Sequence, residues 1–600
     1  MLTDALRPPA GYRVEIAVGT TYALNLTSLL LAPLSFALFD RVDSDDLSTV
    51  DPIQVLEAVR RYAEHTTVFC QAGGIHVPYS YRSILTFVED SVLEVAPPEG
   101  SSIFHPKIWA LRFIDARGAR THRVVILSRN MTLDRSWDTA LVLDEAEDGA
   151  IDAEPAAGFV RQLPRLGLRD IPIARLDQVE DLARTLKTVR LAPPAPFSAG
   201  YLMPIGLSGE PVWPFPDRAR RLLAISPFLT KPAVHAMGKI AAERTIVSRP
   251  ESLELIGSKA LQGWRVNVLQ RIAEVDPGND VAEAQPALTE YQGTNEGLHA
   301  KTFVLDLDGS RSMVVTGSAN MTGETWGAGV EFDAVLYGQT SACGVRKTLE
   351  GTEEDLGLAQ LLEEYAVVDE GGATDAAIET SYALEEFHRA LAFGAPTLHV
   401  DVIDDERVSA SLCLTIPESP PGETRVWLVS LPADGAGRSL DAEVNWTIAP
   451  LSVTPFVAVE TTDGQGPARV TRRCVIKAEL TGAVDGRRHD AVFSILRSKE
   501  HVLRYLVFLL GDPAYDALFA QLAGVDTESA GPDFRSALTV SDVALFEPLV
   551  RATGRDENAL ARVASLVEEL RAMPNGAELV PDGFDELWDV VWQVHRERSK

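Results

Sequence analysis

A side chain that could attack or protonate a phosphate ester stands beside a fixed cation in the stretch Leu298-His299-Ala300-Lys301-Thr302-Phe303-Val304-Leu305-Asp306, and Gly317-Ser318-Ala319-Asn320 follows after a turn. As a pattern this is His-x-Lys-x4-Asp and then Gly-Ser-x-Asn. If residues 298 to 306 form a strand, His299 and Lys301 share one face while Ala300 and Thr302 point away. An imidazole next to an ammonium suits phosphodiester chemistry. The ring attacks phosphorus or protonates a leaving oxygen, and the ammonium, with nearby hydroxyl and amide donors, holds the non-bridging oxygens. One such motif supplies one histidine.

A second copy lies upstream. His105-Pro106-Lys107-Ile108-Trp109 followed by Ser128-Arg129-Asn130-Met131-Thr132 parallels His299-Ala300-Lys301-Thr302-Phe303 followed by Ser318-Ala319-Asn320-Met321-Thr322. The shared pattern is His-x-Lys-x-aromatic, a hairpin, then Ser-x-Asn-Met-Thr. His to Asn spans 25 positions in the first copy and 21 in the second, and the longer turn around Gly118 absorbs the difference. Further on, Trp137-Asp138-Thr139-Ala140-Leu141 can be set against Phe332-Asp333-Ala334-Val335-Leu336. A lone His-x-Lys on a strand is ordinarily surface, and a lone Ser-x-Asn a turn or cap. Two ordered copies are harder to dismiss, because the chain holds only 11 histidines and 10 lysines.

These motifs resemble the signature of the phospholipase D superfamily, and among its members the phospholipase D-like nucleases of bacterial defence operons. The second copy matches in full. The first has Arg112 where the family has Asp and Leu127 where it has Gly. The resemblance implies an α/β fold of two phospholipase D-like lobes, mixed sheets flanked by helices, about a pseudo-twofold axis. Both histidines would then meet at one phosphate, one forming a phosphohistidine and the other acting as acid and base. It also implies catalytic roles for Lys107, Lys301, Ser128, Asn130, Ser318 and Asn320, and a place in the motif for Asp306. Glu331 would orient a histidine, with Ser136 in the corresponding place of the first copy. By the family's habit His105 is the nucleophile and His299 the acid, although near-symmetry permits the reverse. No metal or cofactor is implied, since the lysines supply the positive charge.

The elements that must carry these residues follow from periodicity. Residues 12 to 19 alternate as a strand, and the apolar run Ala23 to Leu38 is long enough for a buried helix. Ile103 to Phe113 and Arg123 to Leu127 flank a turn at Asp115-Ala116-Arg117-Gly118, and the order of elements repeats from Arg221 onward. The expected divisions are a first lobe over 1–190, a Pro/Gly-rich linker over 191–216, a second lobe over 217–395, a β-rich domain over 396–495 and a helical domain over 496–600. Apolar residues at helical spacing mark the last of these, for instance Leu560, Val563, Leu566, Val567 and Leu570.

Composition bounds the partners. Against 55 basic residues stand 86 acidic ones, a net charge of −31, so nucleic acid would need a locally basic cleft. Arg112, Arg123, Arg129 and Arg135 gather near the first motif; Arg112 and Arg129 are the candidate phosphate contacts, with solvated surface as the plain alternative. Four scattered cysteines suit a reducing compartment, and with no signal peptide or apolar span in view the expected location is the cytoplasm without membrane insertion. The expected function is a metal-independent nuclease on DNA or RNA, and antiphage defence beside a helicase or other defence-complex subunit is the setting the resemblance implies. The alternatives are a phospholipase or phosphatidyltransferase, and an inactive phosphodiester-binding scaffold.

Overall fold

The computed structural model describes residues 2–37, 52–98, 103–132, 136–207, 212–270, 297–323, 326, 329–351, 356–368, 376–483, 485–510, 545, 549–550, 552, 557–571, 576–581 and 583–598. Arg135 and most of residues 542–552, within the expected helical domain, lie outside them. Residues 1–41 and 61–484 form one compact unit, and residues 42–60 with 485–600 a second.

Two mixed sheets of the first unit carry the motifs. In the first, the strands run in the order Val92–Val95, Thr66–Gln71, Tyr12–Thr21, Ile108–Asp115, Arg120–Leu127, Ala140–Asp144. In the second, the order Arg265–Leu269, Glu243–Val247, Arg221–Ile225, Thr302–Asp306, Arg311–Gly317, Glu331–Gln339 repeats that series strand for strand, with Leu362–Glu364 and Phe197–Ile205 added at the two edges. Parallel pairs join the first three strands of each series and antiparallel pairs the rest. Parallel strands need crossovers that cover the sheet faces, which is why the central strands are apolar almost throughout. Val304, Val314, Ala334, Leu223 and Ile225 of the second sheet share one buried cluster with Val18, Phe69, Ala110, Val124 and Ile126 of the first. Phe159, on the helix Glu154–Gln162, closes on Phe332 with ring centroids 5.0 Å apart.

Several expectations change. The run from Ala23 is not one helix; it breaks into Leu26–Leu29 and Leu31–Ala37, the first capped by the Asn25 side chain, which accepts from the Thr27 and Ser28 amides. The segment expected as a linker supplies the strand Phe197–Ile205, which pairs along Glu331–Gln339. Its Pro204 is tolerated because the strand is an edge, where a missing N–H breaks no second ladder. The β-rich region forms a four-stranded sheet (Glu443–Ile448, Val408–Cys413, Thr397–Val402, Glu479–Gly482) and a six-stranded one. The latter takes in Leu24–Asn25 and Ile75–His76 from the first third of the chain, so it is not closed on itself.

The second unit includes the helices Lys499–Leu510, Glu557–Arg571 and Phe584–Arg598, and Leu560, Val563, Leu566, Val567 and Leu570 of the second are buried. Within it Arg60 pairs with Glu569 at 2.6 Å and the Tyr505 hydroxyl donates to Glu57 at 2.8 Å. No described helix is long and apolar enough to cross a membrane.

Candidate active site

The histidines do not sit on the strands. Ordered strand begins only at Ile108 and Thr302, so His105, Lys107, His299 and Lys301 lie in the extended segments that lead in. The sheets need those segments free, because their amides are used elsewhere. The His105 N–H donates to the Val330 carbonyl at 2.8 Å, and the His299 N–H to the Trp137 carbonyl at 2.8 Å. Isolated bridges Phe104–Val330 and Trp137–Leu298 frame the same exchange. Each motif is thereby stitched to the sheet that carries the other, and all four side chains are buried.

Each lysine folds back on its own histidine. Lys107 Nζ donates to the His105 carbonyl at 2.8 Å, and Lys301 Nζ to the His299 carbonyl at 2.7 Å. Lys301 Nζ also reaches the Ser128 carbonyl of the first motif at 3.2 Å and lies 3.2 Å from His299 Nδ1. Both serines serve the backbone. The Ser128 hydroxyl accepts from the Thr139 amide at 2.8 Å, and the Ser318 hydroxyl from the Phe332 amide at 2.9 Å. Among the described residues, Asn130 Oδ1 and Asn320 Oδ1 are buried with no hydrogen-bond partner. Which end of an amide is oxygen is a matter of assignment, so the two carboxamide heads can equally present N–H donors. Paired buried heads of this kind at matching positions fit a polar ligand between them.

Glu331 lies across from the first motif. Its oxygens stand 2.9 and 3.0 Å from His105 Nδ1. The structure also corrects the place of its counterpart. The Ser318 amide donates to the Phe332 carbonyl and the Ser128 amide to Thr139, so Phe332 corresponds to Thr139 and Glu331 to Asp138, not to Ser136. Asp138 is a methylene shorter, and its Oδ2 lies 3.3 Å from Arg129 Nε. Arg129 is therefore engaged with an acid within its own motif.

The same register explains both departures of the first copy. Gly317 pairs with Asp333, and a Cβ on Gly317 would lie 2.3 Å from Asp333 Oδ1. That oxygen caps the Ser318 and Ala319 amides at 2.7 and 3.0 Å. In the first sheet Leu127 pairs with Ala140, and with no carboxylate to accommodate there is room for a side chain. Asp306 takes no part in the histidine cluster. It accepts from the Ser312 hydroxyl and the Val345 amide, both at 2.9 Å, and pairs with Arg221 at 3.2 Å. At Arg112 the signs are reversed: this arginine is almost wholly buried and pairs with Glu15 and Asp181, both at 2.6 Å. Glu15 sits on the strand that corresponds to that of Arg221, so Arg112–Glu15 replaces Asp306–Arg221 as the bond between neighbouring strands. Arg112 is a strand tie rather than a phosphate contact. Arg123 likewise pairs with Asp144 at 2.6 Å and caps the Ala5 and Arg7 carbonyls.

Electrostatics follow from four bases and two acids buried together. Burial, then Lys107 and Lys301, hold His105 well below the usual histidine range. Burial, then Lys301, Lys107 and Arg249, do the same to His299. Burial brings Lys107 down to about 7, against the pull of Glu331 and Asp333, and sends Lys301 well below its usual value with the help of Lys107. Burial raises Glu331 well above the carboxylate range and Asp333 to about 6. The cluster shares its protons, and an anion placed among these bases would draw protons back onto them.

Sequence reasoning missed Arg249. Its Nε donates to the Leu298 carbonyl at 2.8 Å, next to His299. It precedes the helix Pro250–Ile256 and lies far from either motif in sequence, so only the fold reveals it.

No family model matches the chain, and no curated protein matches it. Among solved structures, a mutant of yeast tyrosyl-DNA phosphodiesterase 1 aligns with 56% of this chain and 85% of its own, at 11% identity and a TM-score of 0.32.

Proposed function

We propose that the chain is a phosphodiesterase working through a phosphohistidine intermediate, in a site built where two phospholipase D-like lobes meet about a pseudo-twofold axis. The observation that carries this reading is the exchange of partners across the two sheets: His105 faces Glu331 of the other sheet, and Lys301 reaches the Ser128 carbonyl of the first motif. Two histidines, two lysines and two asparagine heads then surround one position that suits a tetrahedral anion.

The roles follow from the atoms each ring faces. A carboxylate at Nδ1 of His105 holds a proton there and leaves the Nε2 lone pair for attack on phosphorus. His299 has Lys301 at Nδ1 instead. Charged once the anionic diester is bound, it gives its Nε2 proton to the leaving oxygen as the P–O bond breaks and the P–N bond forms. It then removes a proton from water, which attacks phosphorus and frees His105. Lys107, Lys301, Asn130 and Asn320 hold the non-bridging oxygens, while Ser128 and Ser318 fix the turns that aim them.

The substrate proposed is DNA or RNA, in agreement with a soluble, cytoplasmic setting; association with a helicase or other antiphage-defence subunit belongs to the same reading. The test is cleavage of a small chromogenic phosphodiester and of labelled oligonucleotides in EDTA. Activity should persist there and disappear in His105→Ala and in His299→Ala. Activity strictly dependent on added divalent metal would overturn the mechanism.

A further inference from the structure

An exposed aromatic ring is joined to the His299 segment through Arg249. Phe228 is 45% exposed, and the Arg249 guanidinium lies over its face, 5.4 Å from the ring centroid. A lone exposed phenylalanine is ordinary. This one is held in a rigid frame: the Ser226 hydroxyl donates to its carbonyl at 2.8 Å, the Ser252 hydroxyl to the Pro227 carbonyl at 2.6 Å, and Leu229 bridges Met321 just beyond Asn320. Arg249 is fixed as well, by its bond to the Leu298 carbonyl, and it is close enough to depress both His299 and Lys301.

We propose that Phe228 and Arg249 form a stacking platform for the nucleobase next to the scissile phosphate, so that the substrate is a single-stranded or frayed nucleic acid. This rests on the phosphodiesterase reading of the same site. A planar cation over a ring presents a flat, partly desolvated edge on which a base can stack, whatever its sequence. Stacking is independent of net charge, which matters in a chain of −31 that offers little backbone attraction. Lipid headgroups and simple diesters have no flat ring to place there.

Equilibrium binding of a fluorescent oligodeoxynucleotide and of an abasic oligomer of equal length and charge tests the platform without turnover, in the full chain carrying His299→Ala. The base-bearing strand should bind about 10- to 100-fold tighter. Adding Phe228→Ala should erase that preference, and Phe228→Trp should retain it. An equal loss for both oligomers in Phe228→Ala, or no preference to begin with, would overturn the platform. If the wild-type chain hydrolyses no diester at all, the phosphodiesterase reading falls, and the binding comparison still decides the platform.

Discussion

Glu331 holds His105 from the neighbouring sheet, with both carboxylate oxygens within 3.0 Å of Nδ1, whereas its structural counterpart Asp138 is drawn toward Arg129. The two copies of the motif are thus alike in their bases and unlike in what orients them. Glu331→Gln should lower kcat by about 100-fold with little change in KM, since it removes the group that fixes the ring's tautomer. Asp138→Asn should cost under tenfold. Steady-state kinetics on a chromogenic diester compares them, and equal losses would refute the asymmetric roles.

Anion binding should take up protons. Burial holds Lys107 near 7, so above that pH the free protein carries it largely neutral, and a bound dianion restores the ammonium. Sulfate, which does not itself titrate in this range, should bind more weakly as pH rises from 7 to 9. Calorimetry at pH 8 in two buffers of different ionisation enthalpy should show net proton uptake. Lys107→Met should reduce the buffer dependence, leaving the share carried by the other depressed bases.

The Leu127/Ala140 and Gly317/Asp333 pairs are coupled exchanges. Gly317→Ala sets a methyl against a carboxylate that caps two amides, and should cost about 2 kcal/mol or more in urea unfolding. Ala140→Asp should be destabilising while Leu127 is present, and Leu127→Gly combined with Ala140→Asp should recover part of that loss. Additive losses would show the two positions to be independent.

Arg112 is a buried tie between strands. Arg112→Ala leaves Glu15 and Asp181 facing an emptied site and should destabilise the fold by about 3 kcal/mol. On the proposed activity, the KM for oligonucleotides of the protein that remains folded should not change. A selective rise in KM at unaltered stability would return Arg112 to the substrate.

Lys107 and Asp333 also set a pH signature in stability. The folded protein keeps the Asp333 proton up to about 6, above the value of an unfolded chain, so between roughly pH 4 and 6 stability falls as pH rises. The folded protein releases the Lys107 proton near 7, earlier than an unfolded chain, so above 7 stability rises with pH. Urea midpoints across pH 4 to 9 should therefore flatten in Asp333→Asn at the acid end and in Lys107→Met at the basic end.

The amino-acid sequence by itself determined the repeat. His-x-Lys and Ser-x-Asn-Met-Thr recur because each copy needs the same atoms at the same strand ends, and the hairpin turns and apolar alternation that carry them are local properties. The tertiary structure decided the partnerships. Matching Asp138 to Asp333 by residue type misplaces the register by two, because the first sheet replaced the Gly–Asp contact by Leu–Ala and a charge pair by its inverse, and such exchanges are visible only across strands. The edge strand Phe197–Ile205, which lies in the Pro/Gly-rich stretch 191–216 that suggests a linker, is fixed by the Glu331–Gln339 strand it pairs with. Arg249 and Phe228 reach the site through a carbonyl and a ring face, contacts that leave no spacing in the chain. Charges buried from different sheets, too far apart in sequence for any local pattern to connect, decide which histidine a carboxylate holds.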